Sequence, residues 1–148
     1  MTDVVKIASR LRETMPTLRE TCAQMDEAEV RTVGADGLSP IEIVAGLYRM
    51  ESRLVRPAIT VMIDDDMPRL PGFDLATKAR KEGYGAYDLT RTIRQWGEFR
   101  TGSVVLVESL DADALERPGS IGGKLMTIGQ LLDWWVAEEE NWVGRIKA

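Results

Sequence analysis

Two carboxylates stand at positions where a helical protein ordinarily places apolar side chains. Glu138 falls in the run Leu131, Trp135, Glu138, Trp142 and Ile146, at the three- and four-residue spacing of one helix face. Glu51 falls between Leu47 and Leu54 in a similar run. A carboxylate among apolar groups costs free energy unless it is paired, protonated or bound to a cation. Inward carboxylates on facing helices are how bundle proteins build polar or metal sites. The plainer reading is a structural ion pair with an arginine such as Arg100, or a place near a helix end. Burial would raise the carboxyl pKa, which is what a general base needs, so Glu138 assisted by Glu51 is the candidate acid/base pair.

The chemistry is narrowed by what is missing. The 148 residues contain no histidine and one cysteine, Cys22. That composition excludes Ser-His-Asp and Cys-His catalysis, histidine-ligated metal, multi-cysteine zinc and an intrachain disulfide. Cys22 lies on an apolar stripe and reads as a small hydrophobe. Trp134 and Trp135 are adjacent, about 100° apart on a helix, so both cannot point at one core. One of Trp134, Trp135 and Trp142 should face a partner subunit or a pocket, unless the core face is wide. Asp64, Asp65 and Asp66, with Asp74 nearby, lack the alternation of a calcium loop and read as a solvated acidic loop. Arg49, Arg53 and Arg56, at i, i+4 and i+7, could hold an anion but read more simply as a solvated face pairing with acids. The glycine-rich stretch Gly119 to Gly123 lacks the strand context of a phosphate loop.

The elements that position these residues read as four helices. The first carries Val4, Ile7, Leu11, Met15, Leu18, Cys22 and Met25, with Pro16 inside it as an expected kink. The second starts at Ser39-Pro40-Ile41-Glu42, a capping box with proline at the first helical position, and Pro57 should bend it. Residues 63 to about 86 form a long connection, with one short helical stretch at Leu75 to Lys81. A connection of that length is a crossover, so the second and third helices should run parallel. The third helix starts near Asp88 and presents Leu89, Ile93, Trp96, Val104, Val107 and Leu110 inward; Gly97 and Gly102 weaken it or admit a close neighbour. A second loop spans Asp111 to Lys124, and Thr127 to Gln130 caps the fourth helix. No segment reads persuasively as a strand.

Composition places these helices in one domain, 1–148. Hydrophobic residues make up 44% of the chain and charged residues 29%, which is ordinary for a globular protein. The net charge of −5 argues against a nucleic-acid partner. No targeting segment or membrane span is legible, so a cytoplasmic protein is expected.

Three stretches resemble the DinB-like (DinB/YfiT-like) superfamily: Ser39 to Leu47; the linker Pro68 to Asp74 with Tyr84 to Leu89 and Phe99-Arg100; and Gly123 to Thr127 leading into Gln130 to Ala137. The resemblance implies an all-α four-helix bundle in up-down-down-up order, often dimeric. Relatives bind nickel or zinc through three histidines, and some are thiol-dependent transferases, hydrolases or isomerases; the family name reflects induction by DNA damage. The family's histidine positions fall here at Gly46, Glu138 and Trp142. Of these only Glu138 can ligate a metal, and the Trp142 indole is expected to fill the space left at Gly46. The expectation is therefore no metal or other cofactor. The chain would be a non-catalytic dimeric binding or scaffold protein, stress-associated if it follows the family name, with a small molecule as its ligand. The alternative is a divalent-metal or acid/base enzyme of transferase or hydrolase type using Glu138.

Overall fold

The structure is a computed structural model that describes residues 2–147. Four long helical rods dominate it. The first is α1 (Val4–Ala23), followed by the short α2 (Glu27–Arg31). The second rod joins α3 (Pro40–Met50), a π-helical segment (Glu51–Val55) and α4 (Arg56–Asp64). After β1 (Arg69–Leu70), α5 (Leu75–Lys81) and a 3-10 turn (Tyr84–Ala86) comes the third rod, α6 (Leu89–Glu108). Then α7 (Ala112–Leu115), β2 (Pro118–Ile121) and β3 (Lys124–Thr127) lead into the last rod, α8 (Ile128–Lys147).

Local chemistry sets the starts. Ser39 and Glu42 form the reciprocal capping box, and Pro40 occupies the first turn. Asp3, Asp74 and Asp88 cap α1, α5 and α6 through their side chains. Thr127 and Gln130 exchange two hydrogen bonds at the head of α8, 2.9 and 3.1 Å long. The helix α1 continues through Pro16. Pro57 offers no N–H to the carbonyl one turn back, and the rod takes a π turn just ahead of it, with the Arg56 N–H bonded to the Glu51 carbonyl.

The direction of each rod follows from contacts at one end of the bundle. Thr2, just before α1, donates to Asp133 near the start of α8, so these two rods begin together. Strand β1 follows α4 and pairs in parallel with β2, Arg69 opposite Ser120. Arg117, which follows α6 and α7, donates to the Met62 carbonyl in α4. The second and third rods therefore end where the first and last begin, which is the up-down-down-up order. The rod α1 packs against α6 and α8, and α3 packs against the same two.

The small sheet corrects the readings that Asp111 to Lys124 is loop and that no segment forms a strand. The hairpin β2–β3 turns at Gly122 and Gly123, whose φ angles of +58° and +82° suit a two-residue turn that side chains rarely tolerate. The glycine-rich stretch is thus half of a hairpin.

The core is built from the expected stripes. Ile7, Leu11, Met15, Leu18 and Cys22 of α1 are buried, as are Leu47, Met50 and Leu54 of the second rod. From α6 come Ile93, Trp96, Val104 and Val107, and from α8 come Leu131, Leu132, Trp135 and Ile146. Burial pushes the Cys22 thiol pKa up, consistent with a packing role. None of the described helices is long and apolar enough to cross a membrane.

Candidate functional site

The polar centre of the bundle is a three-residue ion cluster. Arg100, on the buried face of α6, is 2% exposed. Its Nε and Nη2 donate to Glu51 Oε1 at 3.0 and 2.6 Å. Its Nη1 donates to the Leu11 carbonyl at 2.8 Å and to Glu139 Oε2 at 3.2 Å, and Nη2 also reaches Glu139 Oε1. Trp96 Nε1 donates to Glu51 Oε1 at 2.8 Å, and Ser103 donates to Glu51 Oε2 at 2.6 Å. Thr14 donates to Glu139 Oε2 at 2.7 Å. The guanidinium also lies 5.2 Å from the Trp96 ring centroid and 5.4 Å from that of Trp135.

All four rods thus meet at one arginine. With both acids ionised the cluster carries one excess negative charge. Burial pushes the Glu139 pKa above the usual carboxylate range, and Arg100 pulls against that shift without cancelling it. Burial alone would lower the Arg100 pKa; its two carboxylate partners outweigh that and hold it above its ordinary value. Every donor of Arg100 is engaged, and both oxygens of Glu51 are occupied. A saturated and enclosed cluster is built for holding helices in register, not for exchanging protons with a substrate.

Sequence reading found Glu51 and its partner Arg100, but the acid that α8 sends into this cluster is Glu139, next to the expected Glu138. Glu139 is 3% exposed, whereas Glu138 is half-buried. The inward face of α8 runs through Ile128, Leu132, Trp135, Glu139 and Ile146, one step round from the stripe centred on Glu138. Three consecutive glutamates, 138 to 140, made both phases readable.

Glu138 opens onto a cleft of about 610 Å³ between α3, α5 and α8. Trp134, Glu138 and Trp142 follow one another at four-residue steps and form one wall. Phe73, Leu75 and Met50 supply further apolar lining; Asp74, Thr77 and Lys78 add polar groups. Glu139 and Glu140 pair with Arg100 and Arg10, while Glu138 has no ion-pair or hydrogen-bond partner among the described residues. The tryptophans divide between two tasks: Trp135 is fully buried in the core, and Trp134 and Trp142 are half-buried along the cleft. Arg145 lies 4.2 Å from the centroid of the Trp142 ring.

The space beside Gly46 is not filled by the Trp142 indole, as its volume had suggested. A Cβ at Gly46 would lie 2.6 Å from Leu75 Cγ and 2.8 Å from Leu75 Cδ2. The crossover helix α5 delivers this leucine, which is 4% exposed, into the bundle side. Trp142 is left to line the cleft. Gly46 and Trp142 supply no metal donor, and Asp74, the other carboxylate of the cleft, caps the Thr77 N–H at 3.1 Å. Among the described residues no three histidine, cysteine, aspartate or glutamate side chains converge. The donor set does not fit a transition-metal ion of the kind the resemblance implies.

The other candidates find ordinary partners. Arg49 donates to the Tyr87 hydroxyl at 3.1 and 3.2 Å, Arg53 pairs with Glu82 at 2.5 Å, and Arg56 stacks 4.3 Å from the Phe99 ring centroid. They tie the second rod to its neighbours and leave no open anion site. Gly97 and Gly102 give room to the guanidinium groups of Arg19 and Arg56. Asp64, Asp65 and Asp66 are exposed, with Asp66 3.6 Å from Arg117.

The helical order, the parallel second and third rods and the crossover between them define a class of bundle, that of the DinB/YfiT-like fold. A solved structure with this fold is YfiT from Bacillus subtilis, described as a probable metal-dependent hydrolase with an unusual four-helix bundle topology. It superposes with a TM-score of 0.87 over 97% of this chain and 83% of that one, at 14% sequence identity. No protein-family model matches the chain, and no curated protein matches it by sequence.

Proposed function

We propose that this protein is a non-catalytic member of the DinB/YfiT-like group that binds a small molecule in the cleft of Trp134, Glu138 and Trp142. The observation that supports it best is the fate of the family's ligand positions. Gly46 is covered by Leu75, Trp142 lines an apolar wall, and Glu138 stands without a second donor. A cleft of several hundred cubic ångströms with mostly apolar walls and one unpaired charge has the make-up of a ligand site. The enzyme alternative lacks its second group, because Glu51 is enclosed and saturated by Trp96, Arg100 and Ser103. Homodimerisation and cytoplasmic residence belong to the same proposal; the exposed apolar side chains Val105 and Leu125 are available to a partner copy.

The test is a small-molecule panel read by thermal shift on tag-free protein, alongside ester and amide hydrolysis assays with nickel and zinc. The proposal expects stabilising compounds whose effect is lost in Trp142→Ala, and no turnover. Metal-dependent turnover lost in Glu138→Ala would replace it with the hydrolase reading.

A further inference from the structure

Resting on the binding role above, we infer that the ligand is an organic cation, an ammonium or quaternary ammonium group carried on an apolar body. The indoles of Trp134 and Trp142 and the ring of Phe73 line the same cleft. Aromatic faces are negative at their centres and attract cations, tryptophan most strongly. Trp142 already does so with Arg145, whose guanidinium carbon sits 4.2 Å from its ring centroid.

The charge inside the cleft has the matching sign. Glu138 is set between the two tryptophans, one helical turn from each, and its carboxylate has no cationic partner among the described residues. Asp74 adds a second negative charge while capping α5. Lys78 lines the cleft too, and it shares Glu82, 3.6 Å away, with Arg53, so its positive charge is set against the two cleft carboxylates Glu138 and Asp74, which outnumber it. An unpaired carboxylate set between two indoles attracts a cation and repels an anion, and the aromatic lining suits a cation with an apolar body. Met50 and Leu75 offer apolar surface for the rest of the molecule.

The experiment uses three probes of similar size: benzyltrimethylammonium, neutral N,N-dimethylbenzamide and anionic phenylacetate. Binding to the tag-free chain is followed by tryptophan fluorescence and titration calorimetry. The cation should bind about tenfold more tightly than either comparator. Glu138→Gln, confirmed folded by its melting temperature, should lose about tenfold for the cation and little for the amide. Equal affinity for cation and amide, or an unchanged cation affinity in Glu138→Gln, overturns the inference. If the amide or phenylacetate binds and the cation does not, the cleft is a ligand site of another class and the binding role survives. If none of the three binds up to about 10 mM, a free energy near 3 kcal/mol, both fall.

Discussion

Glu138 and Glu139 are consecutive on α8, yet only Glu139 reaches Arg100; Glu138 turns to the cleft. One peptide bond separates a structural acid from a candidate ligand-binding acid. The two therefore respond differently to the same substitution. Glu138→Ala should change unfolding free energy by no more than about 0.5 kcal/mol, as for a side chain with no partner to lose. Denaturant unfolding monitored by circular dichroism measures this directly; a much larger loss means that Glu138 holds the fold together.

Arg100→Met should destabilise the protein by about 3–5 kcal/mol, because it leaves Glu51 and Glu139 buried without their common cation. The triple variant that also replaces both acids with glutamine should recover part of that loss. Equal instability in the two variants would point to packing of the arginine stem rather than charge.

Glu139 sets a pH dependence with a definite sign. Its pKa is higher in the folded than in the unfolded state, so folding favours its protonated form. The contribution is fully present below the unfolded carboxylate pKa and is lost as pH rises through the folded value. Glu139→Gln should lack this one contribution and, relative to the parent, gain stability as pH rises. Stability curves for the two proteins from about pH 4 to 8 settle the sign.

Gly46 and Leu75 form a second coupled pair. Gly46→Ala should cost about 1–3 kcal/mol, since the new methyl meets Leu75 in a filled space. In a Leu75→Ala background the same substitution should cost much less. Additive effects would mean that the two residues do not share the space.

The fold was legible because its signals are local. Ser39 to Glu42, Thr127 to Gln130 and the apolar spacing each fix an element by nearest-neighbour chemistry. The crossover was legible from length alone. What escaped was anything set by phase or by distant partners. A run of three glutamates allows either of two helix phases, and the choice falls to Arg100, 39 residues from Glu139 in sequence. Leu75 could not be assigned to Gly46 without knowing that α5 folds back onto α3. The hairpin at Gly122-Gly123 was hidden because β2 begins with Pro118 and Gly119, residues that argue against a strand.

The claim on which the proposed function stands is that the cleft of Trp134, Glu138 and Trp142 takes a small molecule and holds no transition-metal ion. Titrating nickel or zinc into metal-free, tag-free protein by calorimetry tests it most directly. The account predicts no stoichiometric binding tighter than about 100 μM, the range in which one carboxylate and waters compete poorly with solvent. One ion per chain bound at about micromolar affinity or tighter, and lost in Glu138→Ala, would contradict it.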